Sequence, residues 1–132
     1  MKPVSFWVAG TPIPQGSKII WQGRVMDYNK TVLDHWRGLI RAESLRNHKE
    51  DPLDMPLRLE IFFYLPRPKR VRWNKPAVKP DADKLLRAVC DALTHSKRAP
   101  GIVREDSRFT TITIHKAYSL KPGAHITIQE DA

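Results

Sequence analysis

The segment KPDADKLLRAVCDAL, Lys79–Leu93, joins a proline-rich basic run to a stretch with helical spacing. Its apolar residues recur at intervals of three and four: Leu86, Val89, Cys90 and Leu93. This periodicity predicts an amphipathic helix over 84–94, and Asp83 is a residue type that commonly caps a helix at its N-terminus. Asp81 stands two residues earlier. A basic chain therefore places a carboxylate pair directly between a cationic run and a helix.

Strand patterns lie on both sides of this segment. They cover 3–9, 57–65, 109–120 and 124–130, with a short hairpin over 19–26 that turns at Gln22-Gly23. A second helix is predicted from a cap at Asn29 or Thr31 to about Asn47. The KPG turn between the last two strands predicts that they pair as a hairpin. This order predicts an α+β fold, one domain over residues 1–132, with two main helices packed on one face of a mixed or antiparallel sheet.

The charge of the chain indicates the kind of partner. Twenty-three Lys and Arg against fourteen Asp and Glu give a net charge of +9 and a pI near 10.0. Such a balance favours a polyanion, nucleic acid first and an anionic membrane second. No apolar run approaches the ~18 residues of a membrane span, and the N-terminus lacks the apolar core of a signal peptide. We therefore expect a cytoplasmic protein with no membrane partner.

Several other chemistries are not indicated by the sequence. Cys90 is the only cysteine, so no internal disulfide can form, and it reads as a small core residue. The five histidines show no spacing typical of zinc ligands. No glycine-rich phosphate loop is present, so no nucleotide cofactor is expected.

The run Pro66–Pro80 carries six basic residues, four prolines and no acid. Proline at this density excludes a regular element, so we expect a basic, mobile loop at about 66–80. Trp73 either anchors this loop on the core or stacks on an unpaired base. The candidate DNA-binding residues are Lys18, Arg67, Lys69, Arg70, Arg72, Trp73, Lys75, Lys79 and Lys84.

The acidic residues of the second half are few and clustered. Of the eight acids after Met55, four lie in two short loops that flank one helix: Asp81, Asp83, Glu105 and Asp106. Clustered carboxylates repel a phosphate backbone unless a cation lies between them. Mg²⁺ prefers such hard oxygen ligands and commonly binds one or two carboxylates together with substrate phosphate. Helix caps and solvated loops explain most D-x-D pairs, so the pattern alone leaves both interpretations open.

The run KPDADKLLRAVCDALT, followed by REDS before a terminal strand pair, resembles the RusA family of Holliday junction resolvases. The N-terminal GTPIPQGSK resembles a loop of the same family. The resemblance implies a small, dimeric, Mg²⁺-dependent endonuclease of bacteria or their phages that cuts four-way DNA junctions, with Mn²⁺ as a possible substitute metal. It implies that Asp81, Asp83 and Asp106 are the catalytic, metal-binding carboxylates.

The chain departs from the family pattern at two positions. Arg87 stands where the family has a catalytic lysine, and Lys84 stands where it has an asparagine. Arg87 keeps the positive charge but cannot give up its proton. Asp91, four residues later, either pairs with Arg87 on the helix surface or orients it. Glu105 is either a second ligand or a solvated neighbour.

Two other functions stay open from the sequence. A non-catalytic nucleic-acid-binding module would keep the basic loop and use the aspartates as caps. A nuclease for flaps or three-way branches would keep the carboxylates and differ in substrate. Convergence of Asp81, Asp83 and Asp106 would favour the enzyme, because shared metals need ligands on one site.

Overall fold

The structure is a computed structural model that describes residues 1–16, 18–21, 24–27 and 30–132, with side chains given outside 17–29. Two helices, six strands and one short 3-10 turn are present in these residues. They are β1 (Val4–Ala9), β2 (Lys18–Trp21), β3 (Arg24–Asp27), α1 (Lys30–Asn47), β4 (Leu57–Pro66), α2 (Ala82–Leu93), the turn Asp106–Arg108, β5 (Phe109–Ser119) and β6 (Gly123–Glu130).

Four strands form the main sheet in the order β1-β6-β4-β5. Strand β6 is antiparallel to both of its neighbours, whereas β4 and β5 are parallel. The sheet is therefore mixed. Strands β2 and β3 pair separately, with Trp21 opposite Arg24, which confirms the predicted hairpin pairing. Its predicted turn, Gln22-Gly23, lies outside the described residues.

One face of the sheet is covered by both helices. Alternate residues of β4, from Leu57 to Phe63, are fully buried, and their neighbours on β1 and β6 join the same apolar cluster. Trp36 and Ile40 of α1 belong to that cluster, as does the apolar stripe of α2. This confirms the predicted α+β arrangement with two helices on one face. No described helix is long and apolar enough to cross a membrane.

The prediction that the last two strands pair with each other was wrong. Strand β4 lies between them, with Phe62 opposite His115 on one side and His125 on the other. The link between β5 and β6 crosses the end of β4, because Ser119 is level with Pro66 and Gly123 with Tyr64. The centre of β4 is apolar on successive residues and is stabilised by a strand on each side. Alternation identified both strands but carried no information about their partners.

The predicted helix starts also need correction. Helix α2 begins at Ala82, and its N-cap residue is Asp81 in extended conformation, so Asp83 lies in the first turn. An aspartate is favourable at either position, as a cap or as a negative charge near the helix N-terminus, so residue type could not distinguish them. Thr31 lies inside α1 and is not its cap. The other candidate, Asn29, lies outside the described residues.

Candidate active site at the start of helix α2

Helix α2 is fixed in place by its buried side. Leu85, Ala88, Val89 and Ala92 are fully buried in the core. The opposite side is consequently turned outward, and Asp83, Arg87 and Asp91 are exposed. These three residues are spaced four apart, so they follow one line along the helix. The amphipathic pattern that folds the helix thus also presents its charged residues to one surface.

The N-terminus of α2 carries the aspartate pair. The backbone N–H of Leu85 donates to the carbonyl of Asp81 at 3.1 Å, and the Asp81 side chain makes no cap hydrogen bond. The Asp81 carboxylate instead pairs with Lys84 Nζ at 3.2 Å. Lys84, predicted to contact DNA, therefore lies against the first aspartate and forms an ion pair with it.

Lys116 of β5 binds the backbone just before the same end of the helix. Its Nζ donates to the carbonyls of Val78 at 2.8 Å and Pro80 at 2.7 Å. Burial lowers the pKa of Lys116, and the nearby charge of Asp81 acts in the opposite direction. No feature of the sequence distinguishes this residue, because a lysine in an alternating strand is typical of a solvent-facing position. It ties the end of the basic loop to the sheet and so fixes where Asp81 begins the helix.

A cleft of about 380 Å³ brings the middle of α2 next to the second acidic pair. Arg87 and Asp106 both line it, together with Gln15 and Asp91. Asp83 lies one helical turn before Arg87 on the same side of α2. The structure therefore brings Arg87 and Asp106, far apart in sequence, into one cleft, with the aspartate pair at the adjoining helix end.

The two acids of the second pair have different surroundings. Glu105 Oε2 accepts from Arg108 Nη2 at 3.4 Å, and Arg108 Nε also donates to Asp54 at 2.7 Å. Asp106 opens the 3-10 turn and lines the cleft. Glu105 is thus held by an arginine outside the cleft, whereas Asp106 belongs to it.

The donor chemistry of this region fits Mg²⁺. The aspartates at the helix start offer carboxylate oxygens, and Mg²⁺ commonly takes one or two carboxylates and completes its shell with water and phosphate. Across the described ranges, no group of three His, Cys, Asp or Glu side chains lies close enough to hold one ion. The assignment of Asp81, Asp83 and Asp106 as a shared ligand set stays a prediction.

Asp91 does not pair with Arg87 in the described structure. Its Oδ2 accepts from Gln15 Nε2 at 2.5 Å and lies 3.5 Å from Arg37 Nη1. Arg37 Nη1 also donates to Gln15 Oε1 at 2.8 Å, so Gln15 bridges both helices. The helix-surface pair predicted from i,i+4 spacing is displaced by these two partners. Gln15 was not singled out from the sequence, although it lies in the GTPIPQGSK run.

The N-terminal loop also contacts Arg87. Gly16 has a φ of +102°, and a Cβ placed there would lie 2.7 Å from Arg87 Nη1. The backbone N–H of Gln15 donates to the carbonyl of Lys84 at 2.9 Å. The backbone conformation favours a glycine at this position, and the guanidinium of Arg87 packs against it. The loop therefore lies directly over the first two turns of α2.

Cys90 adds no nucleophile to the cleft. Burial raises the pKa of its thiol to about 12, and the charges of Asp106 and Asp91 act in the same direction. The thiol stays protonated at neutral pH, which removes the reactive thiolate form. Its predicted role as a small core residue agrees with its buried position.

The basic loop presents its cations to solvent. The structure places Trp73 46% exposed, with the Arg72 guanidinium 4.4 Å from its ring centroid, so Trp73 is not an anchor on the core. Pro76 is the buried residue of this loop. The exposed cations are Arg67, Lys69, Arg70, Arg72, Lys75 and Lys79. The side chain of Lys18, on β2, lies outside the described part of the structure.

Fold and site together define a small basic α+β protein with an acidic helix start beside a cationic loop. Residues 9–129 match the family model of endodeoxyribonuclease RusA, so the chain belongs to the RusA family, a family of Holliday junction nucleases. It is also similar to the uncharacterized protein YqaN of Bacillus subtilis (strain 168), with 26% identity over 144 residues and 98% of each chain covered. The resemblance read from residues 79–94 and 105–106 is confirmed at the level of the family.

Proposed function

We propose that this protein is a Mg²⁺-dependent, structure-selective endodeoxyribonuclease that resolves four-way DNA junctions in recombination and repair in the cytoplasm. The observation that carries the proposal is the cleft shared by Arg87 and Asp106 beside the Asp81-Ala82-Asp83 helix start. A binding module that used its aspartates only as caps would not need an acid and an arginine from distant segments in one cleft.

Asp81, Asp83 and Asp106 are the residues that would hold Mg²⁺, with Mn²⁺ as a substitute. When bound, the metal supplies an activated water and stabilises charge at the scissile phosphate. The protein itself places cationic partners beside them: Lys84 Nζ lies 3.2 Å from Asp81 Oδ2, and Asp83 lies in the first turn of α2, where the helix N-terminus attracts negative charge.

Arg87 would stabilise the charge that develops on the phosphate. Its guanidinium is permanently charged and can donate to two oxygens at once, which suits a phosphoryl group. It cannot donate a proton, so any protonation of the leaving oxygen must come from water. Gly16 and Gln15 hold the loop against this side of α2, which limits where the guanidinium can lie.

The basic loop would bind the phosphates of the junction arms. Its cations are exposed and contiguous with the start of α2, so DNA held by the loop passes next to the aspartate pair. A symmetric cut needs two active sites, and a C2 homodimer would supply two sites related like the arms of the junction.

The direct experiment incubates the protein with a synthetic four-way junction and with the matched linear duplex, each with and without Mg²⁺. We expect paired nicks in the junction only when Mg²⁺ is present, and intact duplex throughout. Junction binding with no cleavage at any Mg²⁺ or Mn²⁺ concentration would favour the binding module. Faster cleavage of flaps or three-way branches would favour the other branched-DNA nuclease.

A further inference from the structure

A cavity lined by prolines lies at the base of the basic loop. Its volume is about 280 Å³, and five prolines, Val78 and Tyr118 contribute its apolar lining. The walls come from both ends of the loop, from the N-terminal loop and from β5. The polar groups among its lining side chains are the hydroxyls of Thr11 and Tyr118 and the ammonium of Lys79. The cavity is thus an apolar recess inside a strongly cationic part of the surface.

The cavity wall is held in place by the sheet. Lys116 Nζ donates to the carbonyls of Val78 and Pro80, the two residues on either side of Lys79. Pro76 is buried and anchors the middle of the same segment. Proline backbones have little conformational freedom, so a recess built from them needs little ordering when a ligand enters. The recess is consequently preformed.

The surroundings restrict the chemistry of the ligand. Six cations and no acid lie on the loop that forms the cavity, and Pro80 directly precedes Asp81. An isolated phosphate would bind the cations but would make no favourable contact with an apolar recess. A neutral apolar molecule would fit the recess but would gain nothing from the cations. A nucleotide has both a flat, mainly apolar base and an anionic phosphate.

We propose that this cavity receives one unstacked nucleobase next to the branch point of the DNA while the loop cations hold the flanking phosphates. This inference rests on the proposed function. A cavity of about 280 Å³ suits one base and not a base pair. Because the lining offers stacking surface and few hydrogen-bonding groups, the base would be bound with little sequence preference.

A matched pair of variants tests the cavity. Val78 is 48% exposed and lines it, whereas Val32 on α1 is 47% exposed and lies elsewhere. Val78→Trp fills the recess, and Val32→Trp adds the same bulk at a distant site. We expect Val78→Trp to weaken four-way junction binding about tenfold, the scale of one lost base stack, and to leave duplex binding unchanged. Val32→Trp should match the parent protein on both DNAs.

A thermodynamic cycle that combines protein variants with abasic junctions identifies the nucleotide whose base enters the cavity. Junctions with a single abasic residue at each position around the branch point would be bound by the parent protein and by Val78→Trp. At one position the abasic residue should weaken binding to the parent about tenfold and leave binding to Val78→Trp unchanged, because the variant has already lost that contact. Tyr118→Leu, which removes an aromatic face and keeps apolar bulk, should behave like Val78→Trp, and thermal melting verifies that each variant is folded.

The outcomes separate the two proposals. A parent protein that cleaves junctions, together with a Val78→Trp variant that binds them like Val32→Trp, overturns the cavity assignment and leaves the nuclease standing. If every abasic position weakens junction binding equally in the parent and in Val78→Trp, the cavity assignment is also overturned. A parent protein that neither binds nor cleaves branched DNA removes the proposed function, and this inference with it.

Discussion

The two ends of α2 are built in opposite ways. At the C-terminal end, the Thr94 hydroxyl and the Thr94 backbone N–H both donate to the carbonyl of Cys90. Arg41 reaches across from α1 and donates to the carbonyls of Pro100 at 2.7 Å and Asp91 at 3.1 Å. At the N-terminal end, the cap residue Asp81 makes no side-chain cap bond, and the aspartates are exposed.

This difference suggests that one end of α2 fixes the position of the helix and the other end carries the candidate active site. The C-terminal end fixes the helix by satisfying its last carbonyls, and it continues into the segment that ends at Asp106. The N-terminal end instead leaves the Asp81 carboxylate without a bond to the helix backbone and paired with Lys84 Nζ at 3.2 Å. If this division holds, changes at the start of α2 should alter cleavage without altering stability. Changes beyond its end should lower stability first.

The largest expected effect is at the N-terminal end. Asp83→Asn should abolish junction cleavage while binding survives or tightens, because the variant removes a negative charge near the DNA backbone. Gel-based cleavage and binding assays on one four-way junction measure both. Asp51→Asn, an exposed acid far from α2 in sequence, is the control and should cleave like the parent. Unchanged cleavage by Asp83→Asn would remove this residue from the active site.

Variants of Arg87 test whether the middle of α2 contributes to cleavage. Arg87→Ala should lower the single-turnover cleavage rate about 10²–10³-fold, the usual scale for one lost transition-state contact, with a much smaller effect on binding. Arg87→Lys should keep most of the activity, since the positive charge remains. Arg46→Ala, an exposed arginine of α1, should leave the rate unchanged. A near-normal rate for Arg87→Ala would exclude a catalytic role.

Gly101 tests the region beyond the C-terminal end. A Cβ there would overlap backbone atoms of Thr94 and His95, so Gly101→Ala should lower the free energy of unfolding by about 3 kcal/mol. Gly38 is the control, because nothing lies within 4 Å of a Cβ at that position in α1. Gly38→Ala should raise stability by about 1 kcal/mol through helix propensity. Urea unfolding of both variants measures the difference, and equal stabilities would refute the close packing of this segment.

Asp131 contrasts with the exposed aspartates of α2, and its expected effect is the smallest. Hydrogen bonds from Thr111, Thr110 and Arg58 lower the pKa of its carboxyl to about 2, from an ordinary value of 3.8. Because the folded-state pKa is depressed, this contribution to stability is present above about pH 4 and is lost as the pH falls toward 2. Asp131→Asn should therefore melt below the parent at pH 7 and converge with it near pH 2. A constant difference across that range would contradict the assignment.

The sequence predicted elements more securely than their partners. Helical spacing located α2, and alternation located β4, because periodicity is a local property of the chain. The pairing of β6 with β1 and β4 depends on which apolar edges meet across long separations, which periodicity does not encode. The predicted start of α2 was two residues late, because Asp81 and Asp83 were both suitable N-cap residues and residue type did not distinguish them.

The residues of the candidate site also fall into two groups, those that the sequence predicted and those that only the structure shows. Asp81, Asp83 and Asp106 were predicted from residue type and family resemblance. The cleft contains Asp106 together with Arg87, and the assignment of the three aspartates as one site stays a prediction. Gln15 and Lys116 did not emerge from the sequence. Each acts through contacts with distant segments, Gln15 with Asp91 and Lys116 with the carbonyls of Val78 and Pro80. Such roles are visible only when the chain is folded.

The central place of β6 has a consequence for synthesis on the ribosome. This strand follows every other strand in the chain, yet it lies between β1 and β4 and hydrogen-bonds to both. Until it emerges, the nascent chain holds β1 and β4 with unpaired inner edges, which are surfaces prone to aggregation. The two aspartates of α2 are already made at that stage, but the sheet beneath them is incomplete. A nuclease built this way stays unassembled until the last strand of its sheet has been translated.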